Sequence, residues 1–169
     1  MFKRSIKYAL ICGVFTIGAF AVTFALEGNP FLDVSHMILD VFIFALFIGF
    51  GAYEYKTHEK AGFLKFWEGM TMSFLIYTQA TLLFGIMLAI YFIVSADPLL
   101  DYQQAAMAFL EAEKETYLQK FDEERYQQEW NDIQILTLSV LFLNTLLKKI
   151  ISGFFVAPVI SIILKKNPK

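Results

Sequence analysis

GMTMSFLIYTQATLLFGIMLAIYFIVS, residues 69–95, runs for 27 residues without one charge. At about 1.5 Å per residue a helix of this length reaches roughly 40 Å, more than the roughly 30 Å hydrocarbon core of a bilayer. The stretch predicts a membrane-spanning helix. One flank is mildly basic and the other strongly acidic, and these flanks set the expected topology.

Outward from this stretch, three further spans are expected, over residues 8–26, 33–53 and 148–166. The first is uncharged for 19 residues. Small residues four apart, Ala9 with Gly13 and Ala21 with Ala25, give it a face for close helix approach. The basic start at Lys3, Arg4 and Lys7 resembles a signal peptide, but no small-x-small cleavage site follows, so an uncleaved span is expected. Cys12 is the single cysteine. Ile11 stands where a lipoprotein acylation box needs a small residue, and one cysteine offers no disulfide within the chain. Glu27-Gly28-Asn29-Pro30 breaks the first helix and turns the chain.

The second span begins in polar sequence, with Asp33 or Ser35 as the cap of its first turn. Residues 54–68 form a short charged connection. In it, Phe63, Phe66 and Trp67 sit among lysines and glutamates, as expected of an interfacial lead into the next span.

Beyond residue 95 the composition changes abruptly. Asp97-Pro98 reads as a helix cap followed by proline at the first helical position. Ten of the sixteen acidic residues lie between Asp97 and Asp132, against Lys114, Lys120 and Arg125. No Gly or further Pro interrupts the run to Asn131, so it is expected to be helical. Met107, Leu110, Tyr117, Phe121 and Trp130 form a heptad-like stripe that needs a cover. That cover is either residues 133–147 folding back or a partner, a second copy included. Lys148-Lys149 divides the last apolar stretch in two. The second half is read as the span, with the lysine pair snorkelling at its outer end, and the extracytoplasmic helical segment is set at 97–147.

The expected fold class is therefore all-α: an integral membrane four-helix bundle with an acidic extracytoplasmic helical segment, in one domain. Nine basic residues, Lys3, Arg4, Lys7, Lys56, Lys60, Lys65, Lys165, Lys166 and Lys169, fall on one side of this topology and five on the other. The positive-inside rule places both termini in the cytoplasm. The hydrophobic fraction of 57% and mean hydropathy of +0.55 agree with a lipid environment. The net charge of −2 and the absence of a basic patch exclude a nucleic-acid partner.

Three constellations bear on function. Asp33, His36 and Asp40, at i, i+3 and i+7, share one face of the second span. An intramembrane carboxylate is costly and points to a proton- or cation-handling site, with Asp40 as carrier and His36 as relay. The alternative is a structural one, with Asp40 near the outer interface paired to Lys148 or Lys149. Tyr77, Thr78, Gln79 and Thr81 form a polar girdle in the third span. They are expected to hydrogen-bond between helices or, with Asp40 and His36, to line a solute path. No phosphate-cradling loop, HExxH or nucleophile elbow is present, so no catalytic residue, metal or other cofactor is expected. Two functions follow: a structural or interaction subunit presenting the acidic segment, or a small proton- or cation-coupled transporter or channel.

The "GF-x-x-F-x-E-G" stretch over residues 62–69, the Asp97-Pro98 opening, and the ending from Gly153 through "PVISIILKK" are similar, in order and spacing, to a known family. The chain resembles small bacterial four-span membrane proteins, frequent in Bacteroidetes, catalogued only as a domain of unknown function. That resemblance implies a bacterial inner-membrane location and carries over no catalytic residue.

Overall fold

The computed structural model describes residues 1–26 and 28–167. The expectations placed on Glu27, as part of the first turn, and on Lys169, as one of the nine bases, lie outside the described residues. Seven helices follow in order: α1 (Phe2–Ala25), α2 (Val34–Glu59), α3 (Phe66–Val94), α4 (Pro98–Ala112), α5 (Lys114–Leu118), α6 (Glu123–Ile135) and α7 (Leu138–Leu164). α1, α2, α3 and α7 are each long and apolar enough to cross a membrane. The chain is a small multi-pass helical bundle.

The four long helices form a ring in which α1 packs on α2 and α3, and α7 closes the ring against both. The bundle is apolar inside and out. Phe42, Ile86, Phe155 and Ile163 are all more than 60% exposed, which suits side chains that meet lipid rather than water. Two apolar clusters fill the interior. Cys12, Phe44, Ile48, Met72, Ile76 and Val156 belong to the one nearer the chain ends. Phe20, Phe31, Phe84, Leu88 and Leu141 form the other.

Close helix approach depends on glycine. A Cβ on Gly153 of α7 would lie 2.5 Å from the Tyr77 ring of α3, and one on Gly13 of α1 would lie 2.6 Å from Leu83. Five hydroxyls in the spans are satisfied within their own helices. Thr16, Ser73, Thr145, Ser152 and Ser161 donate to carbonyls three or four residues back, so these five leave no open donor in the bundle.

Both ends of the chain lie at one end of the bundle, here the terminal end. Leu64 and Lys166 exchange two backbone hydrogen bonds of 2.9 Å, and Lys56 Nζ donates to the Leu164 carbonyl. Glu54 accepts from Arg4, Lys7 and Tyr8, while Glu59 binds Arg4 and the amino terminus. These pairings carry α2 past the expected boundary at Tyr53, so the charged connection is shorter than expected.

The opposite end carries the lobe α4–α6. Asp97 Oδ1 accepts from Leu100 N, with Pro98 at the first helical position, and Asp122 caps α6 in the same way. The acidic segment is three helices, not one. The chain reverses after Leu118, and α6 packs back on α4, burying Ala106, Leu110 and Tyr126. Leu110 of the apolar stripe is therefore covered by α6, which shares only its last turn with the expected cover of residues 133–147, because an amphipathic helix that reverses can bury part of its stripe against itself. Gln103 fastens the hairpin by donating to the Ile133 and Gln134 carbonyls at the α6 C-terminus. Leu99, Tyr102 and Leu136 seat the lobe on the bundle.

The last span needs the largest correction. α7 runs unbroken from Leu138 to Leu164, ten residues earlier than the expected start at 148. Lys148 and Lys149 lie mid-helix; Lys149 is buried, and Lys148 is exposed but reaches the loop before α2. The expectation took a lysine pair as a mark of the interface. Buried acceptors on α2 and on the loop before it receive both ammonium groups instead, so the helix does not have to end there.

A buried polar cluster at the lobe side

The cluster sits between the two apolar layers and is assembled from three helices. Asp40 lies six residues into α2, about 9 Å along its axis, and is 4% exposed. Asp33 sets the α2 register by accepting from Ser35 N at 2.8 Å, which turns His36 and Asp40 toward the interior. From α7, Lys149 Nζ donates to Asp40 Oδ2 at 2.6 Å. The ammonium also stands 4.0 Å above the Phe84 ring of α3, a cation–π contact. Away from water neither charge is tolerable alone, and an ion pair of this geometry keeps the interior neutral.

His36 completes the group. Its Nδ1 is 3.1 Å from Thr23 Oγ1 on α1. Thr23 has one hydroxyl proton, directed at the Ala19 carbonyl 2.9 Å away. The tautomer that satisfies both contacts has Nδ1–H donating to Thr23 while the Thr23 proton goes to Ala19, and it carries a lone pair on Nε2. That Nε2 lies 3.8 Å from Asp40 Oδ2. His36 Nε2 and Asp40 Oδ1 are both buried with no hydrogen-bond partner, so two acceptors face inward unsatisfied.

A cavity of about 230 Å³ reaches this cluster. Its walls include His36, Asp40, Thr145, Lys148 and Lys149, and its rim includes Asp33 and Val34. Val34 is 64% exposed, so the cavity opens at the lobe end, beside the α1–α2 loop. The volume admits several waters. Lys148 Nζ donates to the Phe31 carbonyl at 2.9 Å, tying α7 to that loop. The Phe31 ring packs on Phe20, Phe92 and Tyr102, so the loop, the bundle and the lobe meet at one residue. Burial there pushes the Tyr102 phenol up.

The structure thus brings together four of the residues singled out from the sequence, His36, Asp40, Lys148 and Lys149. Gln79 does not join them. It is half-buried on α3 and lines no part of the cavity. Nor does the girdle link helices: the Thr78 and Thr81 hydroxyls are buried without a partner. Neighbouring helices present apolar surface at that level, including the Gly153 backbone beneath Tyr77. Of the lobe stripe, Leu110 is buried, Met107 and Tyr117 are half-buried, and Phe121 is 52% exposed.

Thr23, Phe31, Phe84 and Thr145 were not legible as site residues. A threonine or phenylalanine in an apolar run carries no signal until a charged neighbour is known. His36 and Asp40 offer two metal-type donors. Among the described residues no group of three or more His, Cys, Asp or Glu is placed to hold an ion.

The family model described as a protein of unknown function (DUF4199) matches residues 7–166. No curated protein and no solved structure matches the chain.

Proposed function

Since the chain belongs to the DUF4199 family of unknown function, its own geometry has to supply the reading, and we propose that it is a non-catalytic interaction subunit of the bacterial cytoplasmic membrane. Both termini lie in the cytoplasm, and the α4–α6 lobe stands on the opposite side. The observation that carries this reading is the surface of the lobe. Phe109 and Phe121 are 60% and 52% exposed on a segment, residues 97–132, that holds ten carboxylates against three basic side chains. A partner protein with apolar pockets and a basic rim would complement this surface. A photo-crosslinking residue at Phe109 or Phe121, activated in native membranes, is expected to yield one discrete protein adduct, while the same residue at Trp67 yields none. Adducts to lipid alone from both lobe positions would overturn the reading.

A second reading, a small proton- or cation-coupled transporter, is favoured by the two unpartnered acceptors beside the cavity. It predicts that Asp40→Asn abolishes a flux in reconstituted vesicles while the protein still inserts and folds.

A further inference from the structure

Three features of the bundle converge on one kind of ligand. His36 Nε2 and Asp40 Oδ1 are acceptors without donors, on side chains 6% and 4% exposed. In the tautomer with Nδ1–H donated to Thr23, Nε2 carries a lone pair that can take a proton. The cavity links both groups to the lobe-end surface. A larger cation is disfavoured by Lys148 and Lys149 in the same walls. A proton needs no added volume.

We propose that His36, Asp40 and Lys149 form a proton-binding site reached through this cavity from the lobe end, with His36 Nε2 as the acceptor. The proton arrives from water at the Asp33–Val34 rim and forms an N–H bond on Nε2. It leaves by the same bond breaking, with no other covalent change. The imidazolium and the Lys149 ammonium then compete for one carboxylate. Asp40 Oδ2 is 2.6 Å from Lys149 Nζ and 3.8 Å from His36 Nε2, so binding draws Asp40 toward His36 and loosens its hold on α7. The charged or titratable groups around His36 are Asp33 and Asp40 on its own side, Lys148 and Lys149 on α7, and Cys12 on α1. From α3 the Phe84 ring meets the Lys149 ammonium. The site deepens the transporter reading but does not require flux.

His36 and His58 are the two histidines of the chain, so a His58→Gln background isolates His36. Nitrogen-15 magnetic resonance of the full chain in liposomes reads each ring nitrogen directly. At alkaline pH the proton is expected on Nδ1 alone, and acidification is expected to protonate Nε2. At a fixed pH within that transition, Asp40→Asn should lower the protonated-to-neutral ratio at least about tenfold and Lys149→Met should raise it by a similar factor, given unit charges at about 4 Å in a protein interior. A ring protonated on Nε2 and bare on Nδ1 at alkaline pH would overturn the proposal. So would an Nε2 that stays bare down to acidic pH, or a ratio indifferent to both variants. The first two outcomes are read on the native cluster, so they stand even if a variant fails to fold. If Nε2 titrates as expected but vesicles carry no Asp40-dependent flux, the transporter reading fails and the proton site remains.

Discussion

Lys149 and Asp40, 109 positions apart in the chain, meet in the bundle interior with Nζ 2.6 Å from Oδ2. The contact joins α7 to α2 among side chains that are 4% and 2% exposed. Its energetic meaning is asymmetric, since removing one partner strands a buried charge and removing both does not.

Asp40→Ala and Lys149→Met should therefore each destabilise the bundle by about 3–5 kcal/mol, and the double variant by much less than their sum. Unfolding in mixed micelles of increasing denaturing detergent measures all four states. Additive losses would mean that the two side chains do not act as a pair.

Packing of α3 on α7 gives an independent test. Gly153→Ala drives a methyl group into the Tyr77 ring, 2.5 Å from the new Cβ, whereas Gly18→Ala meets nothing within 4 Å. The first should cost about 1–3 kcal/mol. The second should be neutral or slightly stabilising, because alanine favours a helix over glycine. Equal effects in the same unfolding assay would contradict this helix interface.

Gln103→Ala removes the donor that closes the α6 C-terminus. A loss of about 1 kcal/mol is expected, confined to the lobe. Amide hydrogen exchange should quicken over α6 and leave α1, α2, α3 and α7 unchanged. Exchange that quickens throughout would mean that lobe and bundle unfold together.

Topology is open to cysteine labelling. In a Cys12→Ser background, Glu115→Cys should react with an impermeant thiol reagent added outside spheroplasts, and Lys166→Cys only after lysis. Glu115 and Lys166 are both exposed, so access is decided by the membrane. Both positions reacting from the same side would undo the orientation proposed above.

Much of this architecture is legible in residue order alone. Residues 69–95 are uncharged for longer than a bilayer is thick and leave little choice but a helix that crosses it, and three further apolar stretches bring the long helices to an even number. The caps at Asp33 and Asp97 are equally readable, because a short acceptor side chain before a helix has few other uses. The lobe was only half legible. Composition announced helix, but no glycine or proline in residues 113–122 marks the reversal; the cap at Asp122 is its one local sign, and the packing of Tyr126 and Leu110 favours it. The start of α7 was misread for the same kind of reason. A lysine pair inside an apolar run looks like an interface when only its own helix is considered.

By itself, the sequence determined four long apolar helices and an acidic helical segment between the third and the fourth, because length and charge act on each segment singly. Which side chains meet was decided by tertiary structure. Asp40 and Lys149 become partners, His36 keeps a bare Nε2, and Phe31 roofs the cavity only once four helices from distant parts of the chain are brought together. The energy of a buried charge depends on that neighbourhood and not on its own segment.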